Sequence, residues 1–369
     1  MNTKTVLLTG ARAPVTLDLA RSFYQLGCRV ICVDSLRKTL CTYSKCVGRF
    51  IVVSSPAEDL EAFSNDLIKA IQEEGVDLVI PTCEEALYIA KIQEKLPCEV
   101  FTSSFELIES LHNKWAFAQM TKEMSPKTER LKNKTISPPY VVKHIYSRFA
   151  AHVEVVRKEK EIEERESTPK IAQEFVGGES YCSYAVVKSG KVRAYSAYKV
   201  LHSIGMGAAY SMESIQNDEM EAFVFSFVKE MGYTGQISFD FIKTEERLYV
   251  IECNPRATSG VHLFDCCQEL GKAFFDQGFL KPPLGNIYHE PLTMIWYGMK
   301  QKEILQKHFW KHFLAGKNIV IRAFDLGPLF FFPMILIELM RLTIFKRKKL
   351  HRALSEDLEY NGEVSCESW

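Results

Sequence analysis

The spacing of apolar and polar positions changes character along the chain. Thr5–Leu8 is a short apolar run, Gly10–Ala13 a tight turn, Val15–Leu26 carries apolar residues at helical spacing, and Cys28–Val33 is apolar again, ending at Asp34. A short run, a turn, a helix and a second run make a βαβ unit, and Asp34 stands where such units often hold a polar group. The same alternation continues as a helix over Ala57–Glu74, a strand over Asp77–Pro81 and a helix over Glu84–Gln93. A parallel sheet covered by helices on both faces is therefore expected at the N-terminus. Its first turn, Thr-Gly-Ala-Arg-Ala-Pro, holds only Gly10 and does not match G-x-G-x-x-G. A dinucleotide site there rests on topology alone, and a scaffold whose strand ends line a substrate cleft is the favoured reading.

Beyond about residue 112 the period shortens to strands and turns: Tyr140–Lys143, Lys170–Val176, Tyr181–Lys188, Val192–Val200, Gln236–Ile242 and Leu248–Glu252. This is an α+β pattern. The alternating charges of Arg157–Glu166 read as a solvated helix face. No internal repeat or low-complexity linker interrupts the chain.

Length and composition narrow the function classes. A chain of 369 residues exceeds one small core and predicts two or three subdomains. With 47% hydrophobic and 25% charged residues and zero formal net charge, no field of the whole protein favours nucleic acid. The 11 cysteines include no CxxC pair, and no CxxH or HxxxH spacing accompanies them, so reduced thiols are expected rather than a zinc site. The opening MNTKTVLLTGARAPV suits a first strand and turn better than a signal peptide, which points to the cytoplasm.

The densest chemistry lies in GQISFDFIKTEERLYVIECNPR, from Gly235 to Arg256. Two alternating strands flank the polar turn, so Phe239, Phe241, Tyr249 and Ile251 can face a core or a base. Glu252 and Asn254, two apart, share a face, and Asp240 can lie opposite them in a hairpin. Two carboxylates and an amide oxygen are hard ligands suited to magnesium when phosphates complete its octahedron. Arg256 would project towards the same phosphates. The alternative is a surface hairpin in which Glu252 pairs with Arg256 and Asp240 caps a turn.

These residues resemble the ATP-grasp superfamily, in which a carboxylate in a [DE]-F element precedes by twelve residues the glutamate of E-x-N-P-R; Asp240, Glu252, Asn254 and Arg256 keep that order and spacing. The resemblance covers roughly residues 1–265 and looks closest to the branch of carbamoyl-phosphate synthase large-chain-like proteins and amino-acid ligases. It implies ATP and Mg2+ (or Mn2+), with Asp240, Glu252 and Asn254 as metal ligands and Lys114, Lys143 and Arg256 on the phosphates. It further implies that Gln173, Glu174, Phe175 and Val176 offer an adenine hinge and that Glu179 meets the ribose. The implied fold class is α/β and α+β: an N-terminal βαβ parallel-sheet domain (1–112), an ATP-grasp domain (113–290) with its lid at about 125–175, and a partly helical C-terminal extension (291–369).

One departure from the family concerns the lid, where HIYSRFAAHV has no glycine and Ser147 and Arg148 are expected to replace backbone donors over the phosphates. The chemistry implied is attack of a carboxylate on the terminal phosphate, giving an acyl phosphate that an amine or thiol resolves. Alternatives are a bicarbonate-using carboxylase or carbamoyl-type enzyme, and a nucleotide-binding protein without turnover at the membrane periphery. Small carboxylic acids and amines are the expected partners, with no nucleic acid.

Two segments fall outside the match. Lys199 and His202, ahead of Gly205 and Gly207, could hold an acceptor carboxylate, or could be incidental charges on an edge strand. Leu329–Ile337 is strongly apolar, broken by Pro333 and followed by basic Lys346–Lys349; it is too short for a confident span. The segment 329–349 either lies on an anionic membrane surface or packs on the body or on a second copy of the chain in a homodimer.

Overall fold

The computed structural model describes residues 3–146, 153–159, 162, 168–205, 207, 209–346 and 355–362. The N-terminal layer contains β1 (Thr5–Leu8), α1 (Pro14–Gln25), β2 (Arg29–Asp34), β3 (Arg49–Val52), α2 (Leu60–Glu74), β4 (Leu78–Ile80), α3 (Glu85–Ile92) and β5 (Glu99–Val100). All strand pairs are parallel, in the order β3-β2-β1-β4-β5. Alternation fills both faces: Val6, Leu8, Val30 and Cys32 pack with Leu17 and Phe23 of α1, whereas Leu7, Ile31 and Val33 pack with Phe63 and Leu67 of α2. Helix α2 begins three residues later than Ala57 because Asp59 caps it, accepting from the Ala62 N–H, and Gly75 ends it in the left-handed conformation. The order of strands reverses between β1 and β4, placing the turns after both strands at one crevice.

Helices α4 (Phe105–His112) and α5 (Lys114–Met120) lead out of this layer, separated by Asn113, whose side chain caps α5 through the Trp115 and Ala116 N–H groups. An antiparallel sheet follows, built from β6 (Thr128–Arg130), β7 (Tyr140–His144), β8 (Glu154–Val156) and β9 (Lys170–Glu174) in the order β6-β9-β7-β8. Most of the charged run expected as a solvated helix face lies outside the described residues; Arg157 stands over the Phe175 ring at 5.7 Å.

The central sheet takes β10 (Glu179–Lys188), β11 (Lys191–Ser203), β12 (Ala209–Ile215), β13 (Gly235–Lys243) and β14 (Leu248–Asn254), with α6 (Asp218–Glu230) packed on one face. Phe227 of α6 meets Phe239 of β13 at 5.5 Å. Helix α7 (Gln268–Phe274) packs back on α1, with Phe23 and Phe274 rings 5.2 Å apart. The residues after 290 are not a separate appendage. Strands β15 (Ile287–His289) and β16 (Lys317–Asn318) complete the central sheet in the order β14-β13-β10-β11-β12-β15-β16. Helices α8 (Pro291–Lys300) and α9 (Lys307–Ala315) lie between them, and α10 (Gly327–Phe330) and α11 (Phe332–Lys346) follow.

A buried ionic cluster joins this C-terminal part to the first layer. Arg21 of α1 donates from Nε to Asp325 at 2.8 Å and from Nη1 to Asp18 at 3.0 Å, and Asp18 also meets His262 Nδ1 at 2.6 Å. Burial would push the Asp18 carboxyl up, but His262, Arg322 and Arg21 hold it down at about 2. No helix of the described residues is long and apolar enough to cross a membrane. Phe331 stacks on Tyr43 at 4.6 Å and Ile335 joins the α1 core, so one side of α10–α11 packs on the body. The other side leaves Phe330, Ile337 and Ile344 exposed by 70%, 61% and 66%.

Candidate active site

The β13–β14 hairpin places its polar residues through an irregular register. Asp240 pairs with Glu252 and Ser238 with Asn254, but Phe241 pairs with Val250, so Ile251 is the extra residue of a β-bulge. The bulge changes the phase of β14. Leu248 and Val250 join Phe239 and Phe241 in the core under α6, while Glu252 and Asn254 turn to the opposite face with Asp240. Tyr249 and Ile251 are thus only partly buried and do not share the core position of the two phenylalanines. Strict alternation cannot produce that arrangement.

Asn254 Nδ2 lies 3.4 Å from Asp240 Oδ2 and 3.5 Å from Glu252 Oε1, and its Oδ1 accepts from Arg256 Nη2 at 3.1 Å. The Arg256 Nη1 donates to the Ala257 carbonyl, and the buried Nε has no hydrogen-bond partner among the described residues. The expected alternative, Glu252 paired with Arg256 on a surface hairpin, is not formed: Glu252 has Lys114 Nζ 3.5 Å from its Oε2.

Electrostatics divide the two carboxylates. Burial, and then the charge of Glu252, push Asp240 up to about 7. Burial acts on Glu252 too, but Lys114, Lys143 and Arg256 together hold it below its ordinary value. Lys143 is buried on β7, which lowers it to about 8 against the attraction of Glu252. Three cationic side chains thus surround two carboxylates, an arrangement with capacity for further negative charge.

The four-stranded antiparallel sheet supplies Lys143, whose Nζ donates to Gln173 Oε1 at 2.8 Å, and Gln173 Nε2 donates to Thr128. The strand expected to run to Val176 stops at Glu174. The Glu174 N–H is bonded to the Lys127 carbonyl and the Phe175 N–H to that of Pro139. Gly178 permits the next turn to cross β13, since a Cβ there would stand 2.4 Å from the Lys243 carbonyl oxygen. Ser147 and Arg148 lie outside the described residues.

Other sequence candidates are placed elsewhere. Glu179 is opposite Lys243, three residues from Asp240 on β13, so alternation puts it on the other face of the sheet. There it pairs with Lys199 and accepts from the Tyr181 hydroxyl at 2.7 Å. His202 is buried against the C-terminal helices, with Nδ1 2.8 Å from Glu303 Oε2 and Nε2 3.1 Å from His312 Nδ1. Lys199 and His202 therefore do not form one acceptor grip. The chain also does contain an HxxxH spacing, His308 and His312 on α9, away from the cysteines.

His112 is a site residue with no sequence motif. It ends α4, and burial followed by the charges of Lys114 and Arg256 pushes it down to about 3, so it is neutral beside Glu252. Adjacency to Lys114 was the one available sequence signal. The segment 355–362 also reaches this region, its Tyr360 ring lying 5.9 Å from that of Tyr146.

The donor set fits a divalent cation. Two carboxylates face each other with one raised by burial and by their repulsion, an amide lies between them, and a cation in that space would replace the repulsion with shared attraction. In the form described, Asn254 presents its nitrogen to the carboxylates; rotation of the amide would present oxygen.

Residues 111–260 match the family model of the ATP-grasp domain. No curated protein matches the sequence. Among solved structures, the L-amino acid ligase from Bacillus licheniformis is 18% identical, with 72% of this chain and 70% of that chain covered and a TM-score of 0.58. The N5-carboxyaminoimidazole synthetase from Staphylococcus aureus is 15% identical over 83% of this chain and 89% of that one, with a TM-score of 0.63. The biotin carboxylase domain of the Hydrogenobacter thermophilus 2-oxoglutarate carboxylase, in complex with MgADP and bicarbonate, is 13% identical over 79% and 75%, with a TM-score of 0.60. At such identities the likeness is one of fold.

Proposed function

We propose that this chain, a member of the ATP-grasp superfamily, is an ATP-dependent ligase that activates the carboxylate of a small acid and joins it to an amine. The observation that carries the reading is the in-register pair Asp240–Glu252 surrounded by Lys114, Lys143 and Arg256.

Asp240, Glu252 and Asn254 are assigned to hold Mg2+ or Mn2+. When bound, the cation would neutralise charge on the phosphoryl oxygens of ATP. Lys114 and Lys143 serve as phosphate clamps; Lys143 is oriented by Gln173 and its burial strengthens its attraction for an anion. Arg256 uses its unpartnered Nε and its fork to stabilise charge on the transferring phosphoryl group and the acid that accepts it. His112, neutral, keeps a further positive charge away from the lysines. The adenine edge is assigned to the backbone at Val176, because the N–H groups of Glu174 and Phe175 are already bonded within the lid sheet. A ribose contact by Glu179 would require it to leave Lys199 and Tyr181.

In this reading an acid carboxylate attacks the terminal phosphorus, ADP departs, and an amine displaces phosphate from the acyl phosphate. The test is ADP release from MgATP across pooled amino acids and small organic acids, with a bicarbonate-only arm for the carboxylase alternative. Release should require an acid and an amine, and Glu252→Ala should abolish it with an unchanged circular dichroism spectrum. Persistence of ADP formation in that variant would sink the metal assignment.

A further inference from the structure

The crevice where the strand order of the parallel sheet reverses holds a second charged site, distinct from the Asp240–Glu252 pair. Arg12, in the turn after β1, donates from Nε to Asp34 at the end of β2 at 3.0 Å. Its Nη2 also donates to Asp34 Oδ1, at 2.5 Å, and both terminal nitrogens reach the C-terminal segment. Nη1 lies 2.7 Å from Asp357 Oδ1 and Nη2 lies 2.7 Å from Asp357 Oδ2, so the fork grips both oxygens of one carboxylate. Ser35 adds its hydroxyl to the same Asp357 oxygen and receives a 2.7 Å bond from Arg12 Nη2. Gly10 lets the turn approach β4, with φ +66° and a Cβ position 2.9 Å from Cys83 Sγ. Cys83, in the turn after β4, feels the charges of both Arg12 and Arg256.

Asp357 comes from a strap laid across the crevice. Its carbonyl accepts from Ser55 Oγ, Tyr88 donates to the Glu359 carbonyl at 2.7 Å, and Tyr360 packs edge-on against Tyr88, Phe105 and Tyr146. Open α/β sheets bind ligands at the carboxyl ends of their strands where the order reverses. Here that place is complete for a carboxylate and is filled by one from the chain itself. Exchange of one carboxylate for another leaves the charge of the Arg12–Asp34 set unchanged, so the dominant electrostatic term survives the swap.

Resting on the ligase reading, we propose that Arg12 and Ser35 form the subsite for a substrate carboxylate other than the one phosphorylated, and that Asp357 occupies it until that substrate displaces the strap. Arg12 thus selects a substrate bearing such a carboxylate, and the strap acts as an internal competitor. The carboxylate can belong to an amino acid serving as amine, or to a second acid group on the activated acid.

Hydrogen–deuterium exchange of full-length protein tests this, following 355–362 with MgADP present and glycine, L-glutamate or glutarate as probes. At least one probe should speed exchange in 355–362. Response to glycine assigns the subsite to the amine, and response to glutarate without glycine assigns it to a diacid. Asp357→Asn should tighten the effective probe by about tenfold, and Ser35→Ala, which leaves Arg12–Asp34 intact, should weaken it. If no carboxylate alters exchange in the strap, and Asp357→Asn changes only the melting temperature, the contact is a fixed clasp and the proposal fails. Calorimetry of MgADP binding separates the two readings: its absence in the wild type would overturn the ATP assignment, whereas strap displacement is read independently of it.

Discussion

Asp240 and Glu252 stand directly opposite each other on β13 and β14, a like-charged cross-strand pair held on one face by the bulge beside it. Directly opposed like charges destabilise a sheet, and burial together with this opposition raises the carboxyl of Asp240. Unfolded, this group ionises near 3.8; folded, it keeps its proton to about 7. The folded state therefore binds more protons between those values, and its contribution to stability falls as pH rises through that window. Asp240→Asn is expected to stabilise the metal-free protein at pH 8 by roughly 1–2 kcal/mol, with little effect at pH 4, one pKa unit being about 1.4 kcal/mol. Denaturant melts at both pH values check this.

Magnesium should act in the same direction as that substitution. Added Mg2+ is expected to raise the melting temperature more at pH 8 than at pH 6, because below about 7 the ion must displace a proton from Asp240. Glu252→Ala should remove the Mg2+ effect at both pH values. Equal stabilisation of wild type and variant would place the ion elsewhere.

Lys143 gives nucleotide binding a second pH limb. Burial lowers it to about 8, so nucleotide affinity should decline above that pH as the ammonium is lost, while bound phosphate holds the proton on. Lys143→Met should flatten this limb and weaken MgADP about tenfold or more, measured by calorimetry across pH 7 to 9.5.

The Arg21–Asp325 contact is structural and should respond differently. Asp325→Asn leaves Arg21 with a weakened partner in a dry site, and is expected to cost about 3 kcal/mol in chemical unfolding without altering MgADP affinity. Asp18 in the same cluster, held at about 2, stabilises the fold above pH 4, and that contribution is lost as pH falls towards 2.

The elements that were legible in the sequence are those whose signal is local. The apolar runs of β1, β2 and β4 and the helices between them announce themselves by period, and the hairpin by its polar turn; Asp240, Glu252, Asn254 and Arg256 then follow from spacing within 22 residues. His112 was not legible because its neutrality depends on burial and on the charges of Lys114 and Arg256. Asp357 was not, because its partner Arg12 is 345 residues away. Glu179 and Lys199 looked like ligand contacts until the β10–β13 register put them on the other face, where they satisfy each other. Asp34, seen as a polar strand end, is committed to Arg12.

The bulge at Ile251 has a consequence for how this hairpin can vary. Ile251 alone of this stretch has no partner on β13, so deleting it would restore strict alternation and still leave Leu248 and Val250 in the apolar layer and Glu252 and Asn254 on the face of Asp240. The bulge is thus a spare residue in the strand, and the loss of one residue there can be absorbed with every functional side chain kept on its face.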